Sequence, residues 1–481
     1  MFNLSAVGIG TKTRAQHLLT GIQLAFVIGF VALLFTIGST IMFDLSAIGI
    51  GYGSLLMLFM MIALLLTGMQ LAFVTGFVAL FFTIGWFGMD ALPLVTSRLY
   101  SFVDGYIFLA VPMFVLMAAL LDRSGIAHDL FEAMKLFGKR VRGGVAVQTL
   151  LVAVVLASMS GVIGGETVLL GILALPQMLR LGYNRRLAIG VTCAGGALGT
   201  MLPPSIVLII YGLTASVSIG DLFKASFVPA LLLAIFYILY VLIRCKLNPS
   251  LAPLPSEEEL AKDAQTQPNF FKALFFPLLS VATVLGSIYT GVASVTEASA
   301  LGVVGIMLST WIRKELCVAM LKDAAIATMK TCGMIMWIGI GASALVGVYN
   351  LMGGIDFVEA TILSLSGGSA TATLLIMMAI LLVLGMFLDW VGVALLTMPI
   401  FVPIIVGLGM DPVWFGVVFC LNMQVSFLSP PFGPAAFYLK SVAPKDISLG
   451  EIFSALVPFI CLQVLTLGMV IIFPYLALWW R

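Results

Sequence analysis

Charge is scarce in this chain. Only 9% of its 481 residues are Asp, Glu, Lys or Arg, 23 basic against 21 acidic, whereas a soluble domain commits about a quarter of its residues to charge. That shortage excludes a water-covered surface for a protein of this size. With 62% hydrophobic residues and a mean hydropathy of +1.20, the missing surface must face a lipid bilayer. The net charge of only +2 argues against a nucleic-acid partner, which demands clustered positive charge. Histidine is scarcer still: only His17 and His128 are present, no His-Glu-x-x-His pattern exists, and zinc hydrolysis is excluded. The cysteines Cys193, Cys245, Cys317, Cys332, Cys420 and Cys461 stand singly in apolar stretches. They lack the paired spacing of a disulfide framework or a metal site and read as small packing residues.

What the chain has in abundance is apolar length. At about 20 apolar residues per span it holds on the order of a dozen spanning or re-entrant segments, which predicts an all-α polytopic membrane protein with no separate soluble domain. Two internal repeats organise it. Residues 20–38 (TGIQLAFVIGFVALLFTIG) match residues 67–85 (TGMQLAFVTGFVALFFTIG) at 16 of 19 positions, and MFNLSAVGIG at Met1 returns as MFDLSAIGIG at Met42. Residues 1–53 are therefore an N-terminal extension that duplicates part of the first core helices.

The second repeat is more divergent and more informative. At an offset of 227 the pairs Gly165/Gly392, Pro176/Pro403, Gly182/Gly409, Cys193/Cys420, Pro203/Pro430, Pro204/Pro431 and Tyr211/Tyr438 coincide, and SIGDLF at Ser218 is echoed by SLGEIF at Ser448. This predicts two homologous halves, 54–246 and 272–481. The polar stretch 247–271, with Glu257, Glu258 and Glu259, joins them as a cytoplasmic linker. Cytoplasmic loops retain positive charge. Residues 123–142 carry Arg123, Lys135, Lys139, Arg140 and Arg142, while the equivalent 350–369 carries no Lys or Arg. The two loops should face opposite sides of the membrane, which makes the halves inverted repeats.

Within each half the apolar segments are cut short. Residues 143–182 hold two arms around the sequence SGVIGG, and an arm of about 16 residues spans only about 24 Å of a hydrocarbon core about 30 Å thick. The pattern predicts a re-entrant hairpin, with 369–409 dipping in from the opposite face. The helix after each hairpin is interrupted: 185–213 contains AGGALGTMLPPSIVLIIYG and 412–440 contains NMQVSFLSPPFGPAAFYLK. A Pro-Pro pair removes two backbone donors and disfavours helix before it. Unwound backbone at membrane depth is tolerated only where it is buried in protein or lines a cavity.

Two broken helices facing two hairpin tips in inverted halves form the signature of a secondary transporter with its site near the midplane. Unwound carbonyls can replace the water shell of Na⁺, and half-helix N-termini offer amides to an anion. A kinked, packed helix would explain one such motif but not a pair related by inversion. Intramembrane carboxylates are few and costly. Glu166, beside the first tip, reads as a cation ligand, a proton carrier or a hydrogen-bonded helix-start residue, and Asp389 presents a similar choice. Glu297, at a segment start, is open between capping and transport. Thr167, Thr200, Ser205 and Asn422 are candidate substrate contacts, grouped with Glu166, although each could instead satisfy a freed backbone group.

The stretches VPMFVLMAALLDRSGIAHDLF at Val111, GGALGTMLPPSIVLIIYG at Gly195, SVTEASALGVVG at Ser294, MFLDWVGVALLTMPIFVPI at Met386 and LSPPFGPAAFYLK at Leu428 carry a resemblance. Over residues 54–481 the sequence resembles the large membrane subunit of TRAP (tripartite ATP-independent periplasmic) transporters of the ion transporter superfamily. The resemblance implies residence in the bacterial inner membrane and an elevator mechanism, in which a transport domain carrying both hairpins slides against a scaffold. It implies a Na⁺ gradient as the driving force, with no other cofactor. It also implies two partners: a small four-helix membrane subunit and a soluble periplasmic binding protein that delivers an organic acid such as a C4-dicarboxylate. The N-terminal extension is too short to be that small subunit, so a separate chain is expected.

Carried over from the family, one Na⁺ site would use Ser160 with carbonyls at Gly199, Leu202 and Pro204. Its mirror would use Asp389 and Gly392 with Ser426, Ser429 and Pro430. The first tip departs from the family's frequent Ser-Gly-Ser-Ser, since Ser160 and Gly161 are followed by Val162 and Ile163. Within transport, the alternative is an autonomous sodium/dicarboxylate symporter that needs no binding protein. An intramembrane enzyme would require a paired catalytic constellation, and neither Gly-x-Gly-Asp, nor an Asp-rich pair, nor a Ser with a membrane His is found.

Overall fold

The computed structural model describes residues 44–126, 129–132, 141–161, 164–254 and 270–481. Most of the N-terminal extension, both histidines, Lys135, Lys139, Arg140, Val162, Ile163 and linker residues 255–269 lie outside the described residues, as does the side chain of Ser160. Among the described residues every regular element is helical, and seven helices are long and apolar enough to cross a membrane. The chain divides into two compact units that cut across the two sequence halves.

The first unit comprises, among the described residues, 44–104 and Trp337–Ala360. It holds α1 (Gly49–Leu66), α2 (Leu71–Phe87), α3 (Leu92–Val103) and the latter part of a long helix that begins in the second unit. Position 53, the expected end of the N-terminal extension, falls inside α1. Ser54 and Tyr349 share a hydroxyl hydrogen bond of 2.9 Å, the Leu45 N–H donates to the Gly85 carbonyl at 2.6 Å, and Ser343 Oγ donates to the Arg98 carbonyl. Tyr52, Leu55, Phe59 and Leu66 on α1 are exposed. A helix this apolar with so many large side chains exposed suits lipid rather than water as its neighbour.

The second unit, Gly105–Met336 with Thr361–Arg481, contains every candidate site residue. Its helices run α4 (Ala110–Arg123), α5 (Gly144–Ser160), α6 (Gly165–Arg180), α7 (Arg185–Ala197), α8 (Ile206–Ala215), α9 (Ile219–Leu247), α10 (Phe270–Tyr289), α11 (Val295–Ile312) and the start of α12 (Val318–Leu351). They continue with α13 (Gly354–Leu365), whose first residues belong to the first unit, α14 (Ala370–Phe387), α15 (Trp390–Gly407), α16 (Pro412–Leu428), α17 (Pro434–Val442) and α18 (Leu449–Ile472). The core of this unit is the pair α7 and α16. Residues 187–197 and 413–428 are all buried, and the small residues of α7 let neighbouring backbones approach closely. Tyr211 stacks on Phe419 with ring centroids 5.8 Å apart and donates its hydroxyl to the Pro412 carbonyl at 2.6 Å.

Positions equivalent in the repeat, 227 apart at Asn184 and Asp411 and 230 apart at Ser218 and Ser448, do the same work. Asn184 caps α7 by accepting from the Arg186 and Leu187 N–H groups, and Asp411 caps α16 by accepting from Val413 and Trp414. Ser218 caps α9 and Ser448 caps α18 in the same way. Such caps are each worth about 1 kcal/mol. Packing is exchanged reciprocally: α6 lies on α17 and α15 on α8, while α7 lies on α18 and α16 on α9.

Glu297 forms a capping box. Ser294 is the N-cap, accepting from the Glu297 N–H at 3.3 Å, and the Glu297 carboxylate accepts from the Ser294 N–H at 2.7 Å. Cys193, Cys245 and Cys420 are buried as small packing residues, but Cys317 and Cys461 are exposed, so packing does not account for those two.

Beyond the end of α11, Arg313 donates to Asp129 at 2.5 Å and to Glu315 at 2.8 Å. Partial burial pushes the Glu315 carboxyl up, but hydrogen bonds from Arg313 and the Gly125 N–H, with the guanidinium charge behind them, outweigh it and hold the group below the usual carboxylate range. A lowered value stabilises the fold above the unfolded value of about 4.3, and the contribution fades as pH falls through the folded value. Glu315→Gln should therefore destabilise the fold modestly at pH 7, by less than about 1 kcal/mol for a half-buried pair still reached by water, and lower Tm accordingly. The difference from wild type should vanish in acid. An equal difference at both pH values would contradict this account.

Candidate functional site

Each half builds its tip and its break from the same materials. The arms α5 and α6 have 17 and 16 residues, about 25 Å of helix each, too short to cross. They meet at Gly161 and Gly164, with φ of +55° and +93°. Gly161 is the tighter requirement. A Cβ there would lie 3.3 Å from the Ser205 Cα and closer still to the Pro204 carbonyl oxygen, so the first tip rests directly on the first break. In the second half α14 ends at Phe387 and α15 starts at Trp390. Asp389 is its N-cap, with Oδ2 accepting the Val391 N–H at 3.0 Å.

The first break runs from the short 3-10 turn Leu198–Thr200 to Ser205, with a cis bond between Pro203 and Pro204. Ser205 Oγ donates to the Thr200 carbonyl at 2.5 Å and Thr200 Oγ1 to the Ala197 carbonyl at 2.9 Å. These two hydroxyl hydrogens both go to backbone carbonyls at the interruption. Glu166, in the first turn of α6, is 2% exposed, and its carboxylate faces Gly199 so closely that a Cβ there would sit 2.5 Å from Oε1. Thr167 is fully buried against Gly196, and its Oγ1 makes no hydrogen bond. The structure thus brings Gly199, Pro204, Ser205, Glu166 and Thr167 around the first tip.

The second break spans residues 429–433, with a cis bond between Pro430 and Pro431. Asn422 Nδ2 donates to the Met378 carbonyl at 3.0 Å, Ser426 Oγ to the Leu382 and Asn422 carbonyls, and Ser429 Oγ to the Val425 carbonyl. Asn422 and Ser426 therefore fasten α16 to the hairpin arm α14. Gly392 is buried within α15. The breaks differ in exposure: Pro203 and Pro204 are buried beneath the first tip, whereas Pro430, Pro431 and Phe432 are exposed.

A cavity of about 350 Å³ collects these parts. Gly161 of the first tip, Ile206 at the start of α8, residues 385–391 of the second tip, Phe427 and Pro434 on either side of the second break, and Thr331 of α12 all line it. Its volume lies toward the small end of pockets that hold discrete small molecules, about 300–1,000 Å³. Asp389 is the one charged side chain among its lining residues.

Gln424 did not stand out in the sequence. It is fully buried and donates through Nε2 to the Ala197 carbonyl at 2.8 Å, joining the second broken helix to the end of α7. The signal was available, since 424 is 197 plus the repeat offset and a glutamine inside an apolar run needs a partner. Gln424→Leu keeps the volume but removes the bond between the two helices, leaving the Ala197 carbonyl with the Thr200 hydroxyl, which should cost about 0.5–1.5 kcal/mol in thermal unfolding of the purified protein. An unchanged Tm would show that the bond carries no weight.

Comparison with known proteins points the same way. The family described as "Tripartite ATP-independent periplasmic transporter, DctM component" matches residues 58–476. The C4-dicarboxylate TRAP transporter large permease protein of Pseudomonas aeruginosa is 28% identical over 395 residues, covering 82% of this chain and 90% of that one. The sialic acid TRAP transporter permease of Haemophilus influenzae is also 28% identical, over 386 residues, and there the match spans 79% of this chain and 60% of the longer relative. Among solved structures, the Neisseria gonorrhoeae antimetabolite efflux pump MtrF aligns with a TM-score of 0.60 at 14% identity, covering 81% of this chain and 85% of its own. That likeness concerns the fold alone.

Proposed function

The chain belongs to the DctM-component family of tripartite ATP-independent periplasmic transporters and is a multi-pass inner-membrane protein, and on that premise we propose that it imports an organic acid in exchange for the free energy of a Na⁺ gradient. A soluble periplasmic binding protein delivers the acid, and a small four-helix membrane subunit completes the assembly. The observation that carries the reading is the single cavity bordered by both hairpin tips and by the ends of both broken helices. Transporters that bind at a repeat interface need that convergence.

The halves act as inverted repeats. Reciprocal packing of α6 on α17 and α15 on α8 is the pattern that a two-fold relation produces. The excess of Lys and Arg in 123–142 over 350–369 supports an axis in the membrane plane. Na⁺ suits the oxygens on offer. Carbonyls of Gly199, Leu202 and Pro204 with Ser160 form one site; Asp389 and Gly392 with Ser426, Ser429 and Pro430 form the other. Ser426 and Ser429 donate their hydrogens to carbonyls and so keep lone pairs for a cation. Glu166, Thr167, Thr200, Ser205 and Asn422 shape the substrate side. Import proceeds by an elevator stroke in which the part carrying both hairpins moves against the remainder.

The test is uptake of labelled organic acids by proteoliposomes holding this chain and its small subunit. Accumulation should require both an inward Na⁺ gradient and the binding protein. Uptake that proceeds without the binding protein would replace this reading with an autonomous symporter. Uptake indifferent to Na⁺ would remove the coupling.

A further inference from the structure

The cavity also bears on which acid is carried, an inference that rests on the transport reading above. We infer that this chain takes an acid with one carboxylate and an apolar, aromatic or branched body, rather than a dicarboxylate or a polyhydroxylated acid. The walls supply the argument. Phe387 and Phe432, 63% and 54% exposed, face each other across ring centroids 5.5 Å apart. Phe427 and Tyr438 form a second pair at 6.2 Å. Met334, Met386 and Met423 line the same space, and thioether side chains adapt to irregular apolar shapes. Aromatic rings at the wall of a cavity that opens to water are held there at a cost unless something apolar covers them.

The polar groups of the lining are few: the Asp389 carboxylate, the Thr331 and Tyr438 hydroxyls and the Trp390 indole N–H. No Lys, Arg or His belongs to the lining residues. A first carboxylate can share the cation that Asp389 needs, and the first turn of α8, which starts at this wall with Ile206 and has no side-chain cap, offers it amides. A second carboxylate would meet Asp389 with no fixed positive side chain to offset it, and like charges in a confined site are strongly unfavourable. A sugar acid carries several hydroxyls, each of which needs a partner when removed from water, and this lining has too few. An apolar body loses nothing by leaving water and covers the aromatic and methionine side chains of the lining.

Direct binding tests this without the selectivity of the delivering protein. The full-length chain in detergent and Na⁺ is titrated with 3-phenylpropionate, 4-methylpentanoate, succinate and N-acetylneuraminate, reading ligand-induced thermal stabilisation and Kd. Phenylpropionate or methylpentanoate should bind at least tenfold more tightly than the other two. The Phe387→Ala/Phe432→Ala pair should weaken that binding at least tenfold while the Na⁺-induced shift of the same sample persists, which shows that the variant is folded. Succinate or N-acetylneuraminate binding as tightly as the apolar acids would overturn the inference and leave Na⁺-driven acid import intact. Stabilisation by none of the four overturns it as well. In that case the tripartite uptake assay, run with the same acids, decides separately whether the import reading also falls.

Discussion

Replacing Gly161 with alanine is expected to reduce uptake by at least about 100-fold, equivalent to about 2.7 kcal/mol in the rate-limiting step, without preventing membrane insertion. The residue carries φ of +55°, which costs a side-chain-bearing residue about 1–2 kcal/mol. More decisive is what the new methyl meets. The Pro204 carbonyl and the Ser205 Cα are backbone, so no rotamer change relieves the overlap, and the tip must lift away from the break. Lifting it opens the cavity wall and separates Ser160 from the carbonyls proposed to share its cation. Gly368→Ala is the control. It too has a positive φ, +77°, but nothing lies within 4 Å of its added Cβ, so it bears the backbone cost alone and uptake should stay within about twofold of wild type. Wild-type uptake from the Gly161 variant would show that contact between tip and break is dispensable.

Asp389 allows charge to be separated from capping. Its Oδ2 accepts the Val391 N–H and begins α15, and asparagine caps a helix about as well as aspartate, whereas alanine costs about 1 kcal/mol. Asp389→Asn should therefore melt like wild type while losing Na⁺-dependent uptake by about 100-fold, because the only charged group among the cavity's lining residues is gone. Asp389→Ala should lose both uptake and stability. Activation of the asparagine variant by Na⁺ with an unchanged half-saturation would remove Asp389 from the coupling site and leave it a cap.

Much of this architecture was legible because membrane proteins advertise it. Scarce charge fixed the environment, and the Pro-Pro pairs marked where helices stop: α7 gives way at Ala197 before Pro203, and α16 at Leu428 before Pro430. Residue roles were less legible, because a hydroxyl near unwound backbone has two possible customers. Thr200 and Ser205 direct their hydrogens to carbonyls, a partner that no sequence pattern reveals. Glu297 looked ambiguous until Ser294 was found three residues before it completing the box. The contribution of α12 through Thr331, Met334 and Ile335 had no local mark at all. Apolar residues on a long helix look alike whether they face lipid, core or cavity.

The bond between Gln424 and Ala197 has a bearing on how the two halves diverged. These are one position counted twice, and they touch. Both are buried, and in a close-packed interior a large side chain against a small one fills the space that two small ones would leave open. Where these two repeat-related positions meet, Gln424 beside Ala197 is that unequal pairing, and the hydrogen bond adds a directional tie to the fit.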